Sequence, residues 1–168
     1  MKVIDNFLPS YQFKELQSII LNCSKFSERE LLDNAFPWYW NEGVCYVGDP
    51  FYQLYHVLYE NDHSSMFLPA LDFLLSRIKH KKMYRIKANL NPRTLFHRNS
   101  GYHIDMENMT TSILYINTNN GWTHIKKGGK VKSVENSLVI FDSNLEHAGI
   151  TCTDEKRRVV INLSLIHI

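Results

Sequence analysis

Little in this sequence staples it together. Cys23, Cys45 and Cys152 are odd in number, widely spaced and free of any Cys-x-x-Cys, so neither a disulfide framework nor a zinc knuckle is indicated. A reducing, cytoplasmic setting fits that usage best. A surplus of one charge is lacking too: 19 Lys and Arg face 17 Asp and Glu, and the formal net charge of +2 argues for neither nucleic acid nor an anionic membrane as partner. No apolar run approaches the roughly 18 residues of a membrane span, and the acid-bearing start Met1 to Phe7 has no leader-like apolar stretch. The expectation is a chain neither secreted nor membrane-spanning. Repeats, low-complexity tracts and dividing linkers are missing as well, so the 168 residues are expected to form a single domain.

What is present changes period partway along. Val3 to Leu8 suggests a short opening strand, and Ser10 a helix N-cap, with Phe13, Leu16 and Ile20 at helical spacing through about Asn22. Ser24 to Asp49 breaks up around Phe36-Pro37-Trp38-Tyr39-Trp40, Gly43 and Gly48. That aromatic segment reads first as an edge of the core and second as a cover over a substrate cleft. Phe51 to Tyr59 and Met66 to Ile78 look helical, the second ending in a basic cluster at 79–82.

From Tyr84 onward the period becomes two. Eight extended segments are expected, at about 84–91, 101–105, 110–117, 121–126, 130–134, 137–142, 146–151 and 157–166, with turns at Asn119-Asn120-Gly121 and Lys127-Gly128-Gly129. Helices followed by eight strands predict an α+β, mainly β architecture. It would be a two-sheet jelly roll, or double-stranded β-helix, with N-terminal helices packed on one sheet: a helical support over 1–83 and the roll over 84–168.

Gly101-Tyr102-His103-Ile104-Asp105 carries the chemistry. Side chains two apart on a strand share a face, so His103 and Asp105 can converge on one point. Two histidines and one carboxylate with open positions opposite form the ligand set of non-haem ferrous oxygenases, and His147 is the best-placed third ligand. The triplet alone is a weak signal, since Asp105 could equally cap the next turn. Strand faces add to it. Ile86, Ala88 and Leu90 share a greasy face, as do Val159, Ile161, Leu163 and Leu165; Arg158 shares the opposite face with Val160, as a cavity lining would. Arg85 and Lys87 on the mixed face of the first strand are compatible with solvent. Parity selects Arg158 over Arg157 as the inward cation, suited to bidentate carboxylate binding.

In order, His103-x-Asp105, Tyr115 within Ile113-Leu114-Tyr115-Ile116-Asn117, Val139-Ile140-Phe141-Asp142, His147 and Arg158-Val159-Val160-Ile161-Asn162 resemble the 2-oxoglutarate and Fe(II)-dependent oxygenases. Within them the chain is similar to the prolyl 4-hydroxylase-like branch, especially small bacteriophage members, strongly over 84–166 and weakly from Ile4-Asp5-Asn6-Phe7-Leu8. The resemblance implies that His103, Asp105 and His147 hold Fe(II), and that Arg158 and Tyr115 bind the 5-carboxylate of 2-oxoglutarate. Asn91, or Asn89, would replace a tyrosine that related enzymes carry before a proline. It implies O2 as oxidant, ascorbate as an optional reductant, and release of succinate and CO2. A prolyl residue in a peptide or protein is the first expectation for the substrate, a free amino acid or other small molecule the second. The location would be cytoplasmic, in the host cell if the chain is phage-encoded. The rivals are a cupin-like metal protein and a silent jelly-roll binding module. Nothing in the sequence fixes the oligomeric state.

Overall fold

Alternation along the last strand decides which side of the molecule is core. The computed structural model describes residues 1–22, 35–44 and 51–166. Cys23, Cys45 and the Ser24–Asp49 segment apart from 35–44 lie outside the described residues. The strands in chain order are β1 (Lys2–Ile4), β2 (Tyr39–Asn41), β3 (Gln53–Glu60), β4 (His63–Ser64), β5 (Lys82–Pro92), β6 (Thr110–Tyr115), β7 (Trp122–Ile125), β8 (Gly129–Lys132), β9 (Leu138–Asp142), β10 (His147–Ile150) and β11 (Arg157–Ile166). Two α-helices are described, α1 (Ser10–Leu21) and α2 (Asp72–Arg77).

The large sheet runs β1-β9-β6-β11-β5-β3-β2, with β4 beside β3, and the small one runs β10-β7-β8. On the large sheet Ile86, Ala88 and Leu90 of β5 and Val159, Ile161, Leu163 and Leu165 of β11 are buried in one cluster with Phe13, Leu16 and Ile20 of α1 and Leu74 of α2. The helices therefore cover one face. The opposite face meets the small sheet through a second cluster, in which Ile125 and Val131 pack on Ile113, Tyr115, Val139, Phe141 and Val160. This is the expected jelly roll with helices on one sheet. At roughly 1.5–3 kcal/mol per fully buried large apolar side chain, the two clusters supply the main driving force for this sandwich.

Several local expectations fail, each for an identifiable reason. Phe51–Tyr59 is not helical: Gln53–Glu60 forms β3, paired with β5 and bulged between Val57 and Tyr59. Its apolar spacing mimics a helix, but the open edge of β5 claims its backbone, and tertiary pairing overrides the local pattern. Met66–Ile78 is not one helix. Pro69 opens a 3₁₀ turn at Leu68–Leu71, and α2 begins only at Asp72. Ser10 is not the N-cap either; Pro9 occupies that position with no side-chain capping bond, and its carbonyl accepts the Phe13 N–H. The opening strand stops at Ile4, where Asn6 turns the chain at positive φ.

The expected strand at 101–105 shrinks to one antiparallel bridge pair, His103 with His147, beside a second between Asn99 and Ile150. Gly101, at φ 93°, breaks the extended run. These bridges lie along β10, so the segment still serves as a rudimentary fourth strand of the small sheet.

Candidate metal and anion site

The mixed faces of β5 and β11 and the inner face of the small sheet enclose a cavity of about 210 Å³. Arg85, Lys87, Asn89 and Asn91 line it from β5, Arg158, Val160 and Asn162 from β11, and Thr123, His147 and Gly149 from the small sheet. The solvent reading of Arg85 and Lys87 is thus overturned: the small sheet roofs the face on which they lie.

One end of the cavity holds the titratable cluster. Ligand atoms of His103, Asp105 and His147 lie within 4.8 Å of one another. Two backbone hydrogen bonds of 3.0 Å, exchanged between His103 and His147, clamp the two histidines together. Asp105 follows in the bend after the bridge, and its Oδ2 is 3.4 Å from His147 Nε2. Nδ1 of His103 lies 3.3 Å from the Gly101 carbonyl and Nδ1 of His147 lies 3.3 Å from the Leu145 carbonyl. The tautomer that donates Nδ1–H to those carbonyls leaves each Nε2 lone pair for a metal, the usual outer-shell arrangement of histidine ligands. Asp105 Oδ2 and His147 Nε2 are buried with no hydrogen-bond partner. Buried polar atoms left unpaired cost about 1–3 kcal/mol each, so two of them facing each other call for a cation. The donor set, two imidazoles and a carboxylate, fits ferrous iron.

Arg85 donates to Asp105 Oδ1 at 2.9 Å, fixing the carboxylate so that its other oxygen faces His147. The Asp105 carboxyl is held at about 2, below its usual 3.8. Burial works to raise it, but the neighbouring His147 imidazole, then His103 and Arg85, outweigh burial. Burial first, then the charge of His147, pushes the His103 imidazole below its usual value, which favours the neutral ligand form. A carboxyl held this low favours the folded chain above the ordinary carboxyl range, and the contribution is lost as pH falls from about 4 to about 2. The metal-free protein is expected to lose stability across that window in thermal melts, and Asp105→Asn to flatten that limb of the curve. An unchanged limb would mean that Asp105 is not held as described.

The other end of the cavity is built around a buried cation. Arg158 is 3% exposed. Its Nε donates to Ser133 Oγ and its Nη2 to Thr123 Oγ1, both at 2.9 Å. No carboxylate among the described residues pairs with it. A buried guanidinium satisfied only by hydroxyls carries an uncompensated charge, the circumstance in which an external carboxylate binds strongly. Its partner on the parity argument, Arg157, instead donates to the Leu21 carbonyl at 2.9 Å. Gly121 makes room for this arrangement: a Cβ there would stand 2.7 Å from the Ile150 carbonyl and 3.0 Å from Arg158 Cδ.

Tyr115 is fully buried and does not line the cavity; its hydroxyl donates to Thr123 Oγ1 at 2.8 Å. Thr123 Oγ1 therefore accepts from both Tyr115 and Arg158, which leaves its own hydrogen free to donate. The sequence does not single out Thr123 or Ser133, and it offers Arg85 only as a solvent-compatible side chain. The parity of β7 gave a signal for Thr123, which shares the buried face of Ile125, but nothing local marks it as the link between Tyr115 and Arg158. Asn91 and Asn89 both line the cavity, and Asn89 Oδ1 is buried without a hydrogen-bond partner.

No protein-family model matches the sequence, and no curated protein matches it. Solved structures do. A prolyl-4-hydroxylase of Pseudomonas putida is similar at 15% identity and TM-score 0.63, over 99% of this chain and 92% of that one. A 2OG-Fe(II) oxygenase family oxidoreductase of Burkholderia pseudomallei is similar at 9% identity and TM-score 0.66, over 98% and 85%. A prolyl hydroxylase from Trichoplax adhaerens, solved with a hypoxia inducible factor peptide fragment, is similar at 18% identity and TM-score 0.59, over 98% and 82%. The fold is that of the 2-oxoglutarate and Fe(II) oxygenases, and its structural likeness extends to prolyl hydroxylases. Among the described residues no helix is long and apolar enough to cross a membrane.

Proposed function

We propose that the protein is a 2-oxoglutarate- and Fe(II)-dependent dioxygenase that hydroxylates a C–H bond. The observation that carries this reading is the pairing, in one cavity, of a His103/Asp105/His147 cluster with unsatisfied buried atoms and a buried Arg158 lacking a carboxylate. His103, Asp105 and His147 would hold the iron. Arg158 and the Thr123 hydroxyl, both lining the cavity, receive the 5-carboxylate of 2-oxoglutarate. Tyr115 positions Thr123 from behind, and Asn91, the register partner of Arg158, flanks the co-substrate. Ferrous iron held there would supply dioxygen activation, one oxygen atom entering succinate as 2-oxoglutarate loses CO2 and the other entering the substrate as hydroxyl. The protein orients both molecules and excludes stray water, for which a cavity this narrow is suited.

A prolyl residue is the finer reading of the substrate. It is supported by the sequence resemblance and by the prolyl hydroxylases among the structural neighbours. Anaerobic addition of Fe(II) and 2-oxoglutarate is expected to produce a metal-to-ligand charge-transfer absorption, and air with a prolyl peptide or amino acid to produce succinate. No absorption and no 2-oxoglutarate binding would favour a silent jelly-roll module instead.

A further inference from the structure

The cavity carries more positive charge than the proposed chemistry uses. Three cations, Arg85, Lys87 and Arg158, line it against one carboxylate, Asp105, among the described residues. A ferrous ion and a 2-oxoglutarate dianion cancel each other, so that surplus persists in the loaded enzyme. Two of the three cations have work: Arg158 faces the co-substrate, and Arg85 pairs with Asp105. Lys87 does not. Its ammonium stands 4.6 Å from the centre of the Tyr55 ring, and no carboxylate among the described residues forms an ion pair with it.

Its neighbours lack partners of their own. Asn162 is the register partner of Lys87 on β11, and Asn89 follows two residues along β5 on the same face. Oδ1 of each is buried without a hydrogen-bond partner, and both residues line the cavity. Burial, then the charge of Arg85, pushes the Lys87 ammonium below its usual value, with Asp105 and Glu60 opposing. A cation placed at such a disadvantage has an unmet need for an anion.

We infer that Lys87 receives a carboxylate of the molecule to be hydroxylated, so that the substrate is an acid, and that Asn89 and Asn162 accept N–H groups beside that carboxylate. The inference rests on the dioxygenase reading, because only there are both carboxylates of 2-oxoglutarate committed elsewhere. The carboxylate is either the substrate's own, as in a free amino acid or a C-terminal residue, or that of an acidic side chain next to the target. A neutral internal residue of a peptide lacks it.

The test uses the whole chain loaded anaerobically with Fe(II) and 2-oxoglutarate. Four sets of probes are titrated: the free L-amino acids including proline, Ala-Ala-Pro with a free C-terminus, and acetylated, amidated proline peptides with and without an adjacent aspartate. Perturbation of the charge-transfer absorption reads binding, and succinate release in air reads turnover. The carboxylate-bearing probes are expected to bind and couple, the free amino acids and the peptides separating the two sources. Lys87→Met should weaken the bound acid roughly tenfold or more, the usual loss for a charge-assisted hydrogen bond, and Lys87→Arg should recover most of it. The 2-oxoglutarate Kd should move by less than about twofold in both variants, since that ligand is held by other groups. Preference for the neutral amide, no response to any acid, or an equal loss of 2-oxoglutarate affinity in Lys87→Met would overturn the assignment. An absorption missing from the wild-type protein would instead remove the iron reading, and this inference with it.

Discussion

Asp105→Ala is expected to abolish iron-dependent turnover while leaving the jelly roll folded. Asp105 supplies the only anionic donor of the three-residue cluster. Even outer-shell partners of a metal cost about 10–100-fold when removed, so loss of a direct ligand should exceed that range. The fold should survive because Asp105 lies in the bend after the His103 bridge, outside both apolar clusters. Arg85, which loses its 2.9 Å partner, has a side chain 26% exposed and can turn to water. Metal titration should show the loss directly, with a single cooperative thermal transition retained and its midpoint lowered by no more than the contribution that acid removes from the wild type. Turnover within tenfold of wild type would remove Asp105 from the ligand set. His147→Ala should lose the metal equally, but at a larger cost to folding, since His147 is 2% exposed and packs on the Phe141 ring.

Arg158→Met should weaken 2-oxoglutarate binding by roughly 30-fold or more, corresponding to the approximately 2–5 kcal/mol lost when one side of a buried charge pair is deleted. Stability separates this role from a structural one. Had the guanidinium served only to tie β7 and the segment after β8 through Thr123 and Ser133, the variant would be less stable. One held in a buried site without a carboxylate is a burden to the free protein, and an apolar side chain of similar length should be neutral or stabilising by about 1 kcal/mol or more. The expected signature is an equal or higher melting temperature, unchanged metal affinity and a lost 2-oxoglutarate response. A marked fall in melting temperature with intact co-substrate binding would assign Arg158 to structure.

The roll was legible in the sequence where burial is one-sided. On β5 and β11 the period of two is set by the helical layer on one face and the cavity on the other, and both faces could be read from Ile86 to Leu90 and from Arg158 to Leu165. Legibility failed where a partner supplies the order. Gln53–Glu60 becomes a strand through the edge of β5, and His103 joins the small sheet through a single bridge to His147. Neither partner is visible in the local pattern.

The site shows the same division. His103 and Asp105 stand two apart, a spacing that survives even though Gly101 turns the expected strand into a loop. Arg158 was separable from Arg157 by parity alone. The hydroxyls of Thr123 and Ser133 reach Arg158 from positions 35 and 25 residues away in sequence. The Arg85 guanidinium likewise reaches Asp105 across 20 residues. Such links depend on how two sheets close over each other, which no short stretch of sequence encodes. Tyr115 belongs between these cases: its strand and its direction were readable, its action through Thr123 was not.

Two imidazoles and one carboxylate are expected to close on a single ion beside the Arg158 end of the cavity. Crystals grown without oxygen, with Mn(II) in place of iron and 2-oxoglutarate present, test it through the anomalous signal of the metal. The expected map has one strong peak bonded to His103 Nε2, Asp105 and His147 Nε2, with the far carboxylate of 2-oxoglutarate on Arg158. A peak elsewhere, or a co-substrate bound away from Arg158 with the three side chains bare, would contradict it.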